Sequence, residues 1–134
     1  AIVGWDSARL AMILAVLETR CGLSFSGRDV YLSVAGGLRI TEPAADLAVA
    51  AALISALADK ALPKQCVVFG EVALSGEVRA AGRADLRLKE AAKLGFSNAL
   101  APPQKKNGAS GGVKVRHIAH IADLAAAIGS DSVD

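Results

Sequence analysis

Gly36-Gly37-Leu38-Arg39-Ile40-Thr41-Glu42-Pro43-Ala44-Ala45-Asp46, running on into Leu47-Ala48-Val49-Ala50-Ala51-Ala52-Leu53-Ile54-Ser55, is the stretch that decides the architecture. An alternating apolar run leads up to the glycine pair. A polar turn holding Pro43 follows, and then an alanine-rich apolar segment. This order predicts strand, turn and buried helix. Proline suits the first helical turn, because the N–H it lacks would find no partner there. Thr41 or Glu42 is placed to cap that turn or to favour its positive end. From Asp46 to Asp59 the segment is apolar nearly all round, so most of its faces must be covered and it forms the centre of the core. The glycine pair ends the strand and allows a sharp turn. It is no phosphate loop, since the chain has no Gly-x-x-x-x-Gly-Lys-Ser/Thr run.

Working outward, Asp6 or Ser7 is placed to cap a first helix whose Leu10, Ile13, Leu14 and Leu17 recur at helical spacing, and Gly22 is placed to end it. Val30, Leu32 and Val34 alternate with Tyr31, Ser33 and Ala35, which predicts a strand over 29–38. The core helix is expected over about 43–58. Val67 to Leu74 reads as one strand, turned at Ser75-Gly76 into a partner over 77–80. Arg83 to Leu94 is an amphipathic helix with Leu88, Ala91 and Ala92 inward. Asn98 to Ala101 reads as a short buried strand, 104–112 as a basic, Gly-rich loop, and Val113, Val115 and Ile118 as a further strand. Ile121, Leu124 and Ile128 line a last helix ended by Gly129. Helices interleaved with strands and a hairpin indicate a mixed α/β sheet in a single domain over 1–129, with 130–134 as a tail.

The 134 residues are 53% hydrophobic at a mean hydropathy of +0.42 but only 4% aromatic, so the core is expected to be closely spaced and lined by small side chains. No membrane span or signal peptide is visible, and a cytoplasmic protein is expected. A start at Ala1 without Met suggests a piece of a longer chain. Cys21 and Cys66 match no zinc spacing and read as buried reduced thiols. His117 and His120, three apart, could share a helix face, yet lack the Cys or Glu companions of a metal site. The net charge of +2 hides an asymmetry. From Arg79 to Arg116 nine cations (Arg79, Arg83, Arg87, Lys89, Lys93, Lys105, Lys106, Lys114 and Arg116) face only Asp85 and Glu90, leaving +7. Such a bias suits a polyanion.

Three runs carry a family resemblance: Asp29 to Ala50, Phe69-Gly70-Glu71-Val72-Ala73-Leu74-Ser75-Gly76-Glu77-Val78-Arg79, and Arg87-Leu88-Lys89-Glu90-Ala91-Ala92-Lys93-Leu94-Gly95-Phe96. Together they resemble the C-terminal domain of the bacterial RadA (Sms) DNA repair family, which is similar to the proteolytic domain of Lon proteases. The resemblance covers nearly the whole chain. It implies the Lon proteolytic fold, shared with domain 2 of ribosomal protein S5.

Lon-type peptidases use a Ser nucleophile and a Lys base. Laid on that pattern, the nucleophile position is Ala44 and the base position Asp85, so both members of the dyad are missing. A relocated dyad would have to draw on Ser33, Ser55 or Ser75 with Lys60 or Lys89. The resemblance further implies a hexameric ring that promotes branch migration in recombinational repair. ATP, Mg and zinc would belong to domains outside this chain, and no cofactor is expected within it. Contact with duplex DNA, independent of sequence, is expected at Arg79, Arg83, Arg87, Lys89, Lys105, Lys106, Lys114 and Arg116, with only Phe96 available nearby to stack a base. Two other readings stand beside this one. One is a cryptic Ser-Lys peptidase. The other is a scaffold that docks a partner such as the RecA recombinase without touching DNA. Leu10, Ile13 and Val16 are candidates either for subunit contacts or for the core.

Overall fold

A computed structural model describes residues 2–3, 5–25, 27, 30, 32–33, 42–80, 82–103 and 112–129. The elements are β1 (Ile2–Val3), α1 (Ser7–Cys21), β2 (Leu32–Ser33), a 3₁₀ turn (Pro43–Ala45), α2 (Asp46–Ala58), β3 (Cys66–Val68), β4 (Glu71–Val72), β5 (Val78–Arg79), α3 (Ala84–Lys93), β6 (Asn98–Ala101), β7 (Lys114–His117) and α4 (Ile121–Gly129). The fold is α/β, as expected. Its main sheet is parallel in the order β3-β6-β7; β1 pairs with β2 in parallel, and β4 with β5 antiparallel. Of the strand expected over 29–38, β2 forms and Val30 lies outside it; the other residues, with Gly36-Gly37, lie outside the described residues, as do 104–111 and the tail over 130–134.

Side-chain alternation along the strands builds two cores, one on each face of the main sheet. Leu100 and Ile118 face α1, α2 and α4, joining Leu10, Ile13, Val16, Leu17, Leu47, Ile54, Ile121, Leu124 and Ile128. Ala99 and Ala101 face the other way, with Phe69 and Val113, against Leu88 of α3. Leu10, Ile13 and Val16 are thus core residues of this chain and are not available for subunit contacts. The small side chains of β6, Ala99 and Ala101, both face α3.

Helix ends follow local chemistry. The Asp6 carboxylate accepts the Ala8 N–H at 2.9 Å, and Gly22 closes α1 in the left-handed region at φ 68°. The expected cap on the core helix is different. Glu42 makes no capping bond, and Pro43–Ala45 form a 3₁₀ turn that feeds α2 at Asp46. The expected strand over 67–74 is two strands in two sheets. At Gly70 (φ 151°) the chain leaves β6, because its N–H donates to the Ala44 carbonyl at 2.8 Å and its carbonyl accepts the Leu47 N–H at 3.0 Å. The start of α2 thereby takes over the strand's hydrogen bonds.

The β4–β5 hairpin is seated on α4. Its Gly76 carbonyl accepts the Ile121 N–H at 2.7 Å, and a Cβ on Gly76 would lie 2.6 Å from the His120 ring. Gly76, at φ 91°, is therefore required both for the turn and for room.

One buried polar cluster ties these parts together. Asp46 has no exposed surface. Arg9 Nε and Nη2 donate to its two carboxylate oxygens, each at 2.5 Å, and the Val72 N–H donates to Oδ2 at 3.0 Å. These bonds hold the Arg9 guanidinium above its ordinary range, against a smaller opposing effect of burial. Removing one partner of such a pair costs about 3–5 kcal/mol, because the other charge stays buried and unpaired. Arg9→Ala should therefore lower the urea midpoint by an amount worth about 3 kcal/mol at unchanged slope. Arg9→Leu combined with Asp46→Asn should cost less than the sum of the two single changes. Additive losses would show that the pair is not coupled.

Candidate nucleic-acid interface

The basic residues from 79 to 116 do not share one face. Arg83, Arg87, Lys89 and Lys93 sit on α3 or at its start, on one side of the main sheet. Lys114 and Arg116 are on β7, in register with Asn98 and Leu100. Alternation puts them on the opposite side of the sheet from Val113 and Val115, which pack towards α3. Arg79 is on β5, across the hairpin from Glu71, in a strand whose Val78 N–H donates to the Ala119 carbonyl just after β7. Lys105 and Lys106 lie outside the described residues.

These cations also differ in what they already hold. The Arg87 guanidinium is engaged three ways. It donates from Nε to the Gly82 carbonyl at 2.9 Å and from Nη2 to Glu42, and it lies 5.9 Å from the centre of the Phe69 ring. Arg87 therefore fastens the start of α3 to the turn before α2. Arg79 lies 3.6 Å from Glu77, and Lys93 lies 3.9 Å from Glu90. Arg83, Lys89, Lys114 and Arg116 are exposed and have no ion-pair partner among the described residues. On the α3 side, the cations available to a polyanion are Arg83 and Lys89. Arg83 occupies the N-cap of α3 in a left-handed conformation, φ 60°, and projects from the positive end of that helix.

The two positions that the family resemblance matches to the dyad differ in character. Ala44 is buried in the 3₁₀ turn, and its carbonyl is occupied by Gly70. Asp85 is exposed in the first turn of α3. The candidate replacement hydroxyls have structural work. Ser55 Oγ donates to the Lys60 carbonyl near the end of α2, and Ser75 Oγ accepts the Glu77 N–H at 3.2 Å. Neither bond reaches a lysine amine. Ser33 lies in β2.

His117 and His120 do not share a helix face. His117 ends β7, whereas His120 sits in the turn before α4, where its Nδ1 accepts the Ala122 N–H at 3.0 Å. No cluster of three or more metal-ligating side chains occurs among the described residues. Cys21 and Cys66 are half-buried free thiols, and burial pushes both thiols up. No helix among the described residues is long and apolar enough to cross a membrane.

Asp46 and Arg9 escaped the sequence reading. The available signal was a carboxylate one residue ahead of an apolar helix with no other acid until Asp59. Such a group is either exposed or paired, and a partner 37 positions earlier cannot be read from spacing.

Residues 7–105 match the family model described as subunit ChlI of Mg-chelatase, and the chain belongs to that family. Within it, the chain is similar to proteins named DNA repair protein RadA. It is 66% identical to the one from Brucella abortus over 102 residues, which is 76% of this chain and 22% of that protein. It is 52% identical to the one from Rickettsia bellii over 128 residues, 96% of this chain and 28% of that protein. The RadA of Aquifex aeolicus is 54% identical over 99 residues, 74% of this chain and 22% of that protein. The chain thus spans about a quarter of the length of these curated relatives.

Because Arg87 is structural and Arg83 and Lys89 are not, charge reversal should separate them. Arg87→Glu should lower the melting temperature clearly, while Arg83→Glu and Lys89→Glu should stay within about 0.5 kcal/mol of the parent. Equal effects on stability would remove the distinction. Because raised thiols hold little thiolate at neutral pH, Cys21 and Cys66 should be alkylated slowly by iodoacetamide at pH 7 and much faster above pH 9. Rapid reaction at pH 7 would contradict the buried placement.

Proposed function

We propose that this chain is the Lon-like tier of a RadA-type DNA repair ATPase. In this reading it carries no peptidase reaction of its own, supports assembly of a hexameric ring, and touches duplex DNA through phosphates during recombinational repair. The observation that carries the reading is the 52% identity to a protein named DNA repair protein RadA along 96% of the chain. The absence of a peptidase reaction is supported by the methyl group at Ala44, the exposed Asp85 and the Ser55 hydroxyl, which donates to the Lys60 carbonyl. ATP, Mg and zinc belong, on this reading, to other parts of the protein. Its place of work is the cytoplasm, where bacterial DNA is.

For DNA contact the reading draws on Arg83 and Lys89, with Lys105 and Lys106 as further candidates. Arg and Lys on a helix can track a phosphate backbone without reading bases. Arg87 and Arg79 are set aside because they already bind Glu42 and Glu77. Lys114 and Arg116 fall on the other side of the sheet. On the same reading, RecA recombinase is a partner of the whole assembly.

Fluorescence anisotropy with a labelled duplex across a salt series tests the DNA part, with particle size followed by light scattering. Affinity should fall linearly with salt on logarithmic axes. Arg83→Glu with Lys89→Glu should weaken binding on all sequences alike and reduce the slope by about 2. A ring-sized particle that binds no duplex would overturn the DNA role. Casein hydrolysis abolished by Ser55→Ala or Ser75→Ala would overturn the non-catalytic part.

A further inference from the structure

Strand β7 has one neighbouring strand, β6, and forms an edge of the main sheet, which stays open as far as His117 and closes at Ala119, whose carbonyl accepts the Val78 N–H at 2.9 Å beside the Glu77–His120 bridge. The Lys114 N–H donates to the Ser97 carbonyl at 2.9 Å, and the Ile118 N–H to the Ala101 carbonyl at 2.8 Å. Residues 114, 116 and 118 therefore aim their backbone groups at β6. In a strand of a parallel sheet, successive residues aim these groups to opposite sides. Val115 and His117 thus aim N–H and C=O outward. Among the described residues nothing hydrogen-bonds to them there.

The side chains around this edge alternate in chemistry. Lys114 and Arg116 stand exposed on one face of the strand. They have no ion-pair partner among the described residues. On the other face, Val113 is buried and Val115 half-buried. The opposite edge strand, β3, is Cys66-Val67-Val68, half-buried and without charge.

We propose that the open edge of β7 takes up one further strand, an extended peptide segment that alternates acidic with apolar residues. Main-chain hydrogen bonds from Val115 and His117 would hold it, and its side chains would set the choice. Residues opposite one another on paired strands share a face. Acidic side chains therefore fall beside Lys114 and Arg116, and apolar ones extend the row that Val113 and Val115 begin. A peptide suits this edge better than a nucleic acid does. The edge offers donors and acceptors in turn, and a phosphate backbone has no N–H to give to the outward carbonyls. This surface is distinct from the α3 cations assigned above to DNA.

The test is anisotropy of a fluorescein-labelled Glu-Val-Glu-Val-Glu-Val peptide titrated with the 134-residue chain. The peptide should bind, and its Lys-Val counterpart should bind at least about tenfold more weakly. Two versions, N-methylated on all Val or on all Glu residues, should differ, because only one edge of the added strand meets β7. Lys114→Glu with Arg116→Glu should weaken binding by about tenfold or more. Val115→Pro deletes an outward N–H while sparing the ladder to β6, and should also weaken binding with an unchanged circular dichroism spectrum. Amide exchange at Val115 and His117 should slow when the peptide binds.

Several results would overturn the proposal. Equal affinity for the Glu and Lys peptides would do so, as would equal affinity of both N-methylated versions with the parent. Duplex binding lost in the Lys114→Glu, Arg116→Glu variant, without peptide binding, would make nucleic acid the occupant. Self-association abolished by Val115→Pro, without peptide binding, would make it a second copy of this chain. No binding of any probe would leave the two cations only the task of keeping the edge from pairing.

Discussion

The carboxylate of Asp46 is the constraint on which the rest of the structure depends. It has no exposed surface, and an unpaired charge there would cost several kcal/mol. Its three donors come from different elements: two from Arg9 on α1 and one from the Val72 main chain on β4. Satisfying it fixes α1, α2 and β4 relative to one another. The adjoining bonds from Gly70 to Ala44 and from Leu47 to Gly70 continue the same seam. Beyond it, Glu42 reaches Arg87 and anchors α3. The polar turn before α2 therefore positions helices on both faces of the sheet. It does so with groups that the apolar pattern around it gives no reason to expect.

The helices were legible in the sequence because their information is local. Asp6, Gly22 and the spacing of Leu10, Ile13 and Leu17 define α1, and Ile121, Leu124 and Ile128 define α4. Strands β6 and β7 were also legible, β6 as a short buried run ahead of Pro102-Pro103 and β7 by the alternation around Val115. What escaped was set by distant partners. Residues 67–74 read as one strand, yet the capture of Gly70 by α2 divides it between two sheets. Glu42 looked like a cap and became an ion-pair partner instead. Arg9 gave no signal of its own in the sequence, yet its half-buried side chain completes the cluster around Asp46.

The basic segment teaches a related lesson about sites. Its excess of positive charge is a property of the sequence, but the fold distributes it. Helix α3 lies on one face of the sheet and alternation along β7 turns Lys114 and Arg116 to the other, so cations close in sequence end on opposite faces. Some are then spent on the protein itself, as Arg87 is on Glu42, Gly82 and Phe69. Composition could nominate the residue types for a polyanion, whereas deciding which remain available needed the register of β6 with β7 and the partners of each side chain.

The position of α4 bears on how the chain reaches this state. That helix, the last element described, packs against α1 and α2 near the beginning. During synthesis both early helices leave the ribosome well before their third wall exists. Leu17, Leu47 and Ile54 must then wait with apolar surface uncovered while the strands and α3 are made. Contacts between distant parts of a chain form slowly, because the intervening loop must close first. The main core should therefore consolidate late and largely after translation of the domain. Until then the nascent chain exposes a sticky, alanine-rich helix pair, the kind of surface that chaperones bind.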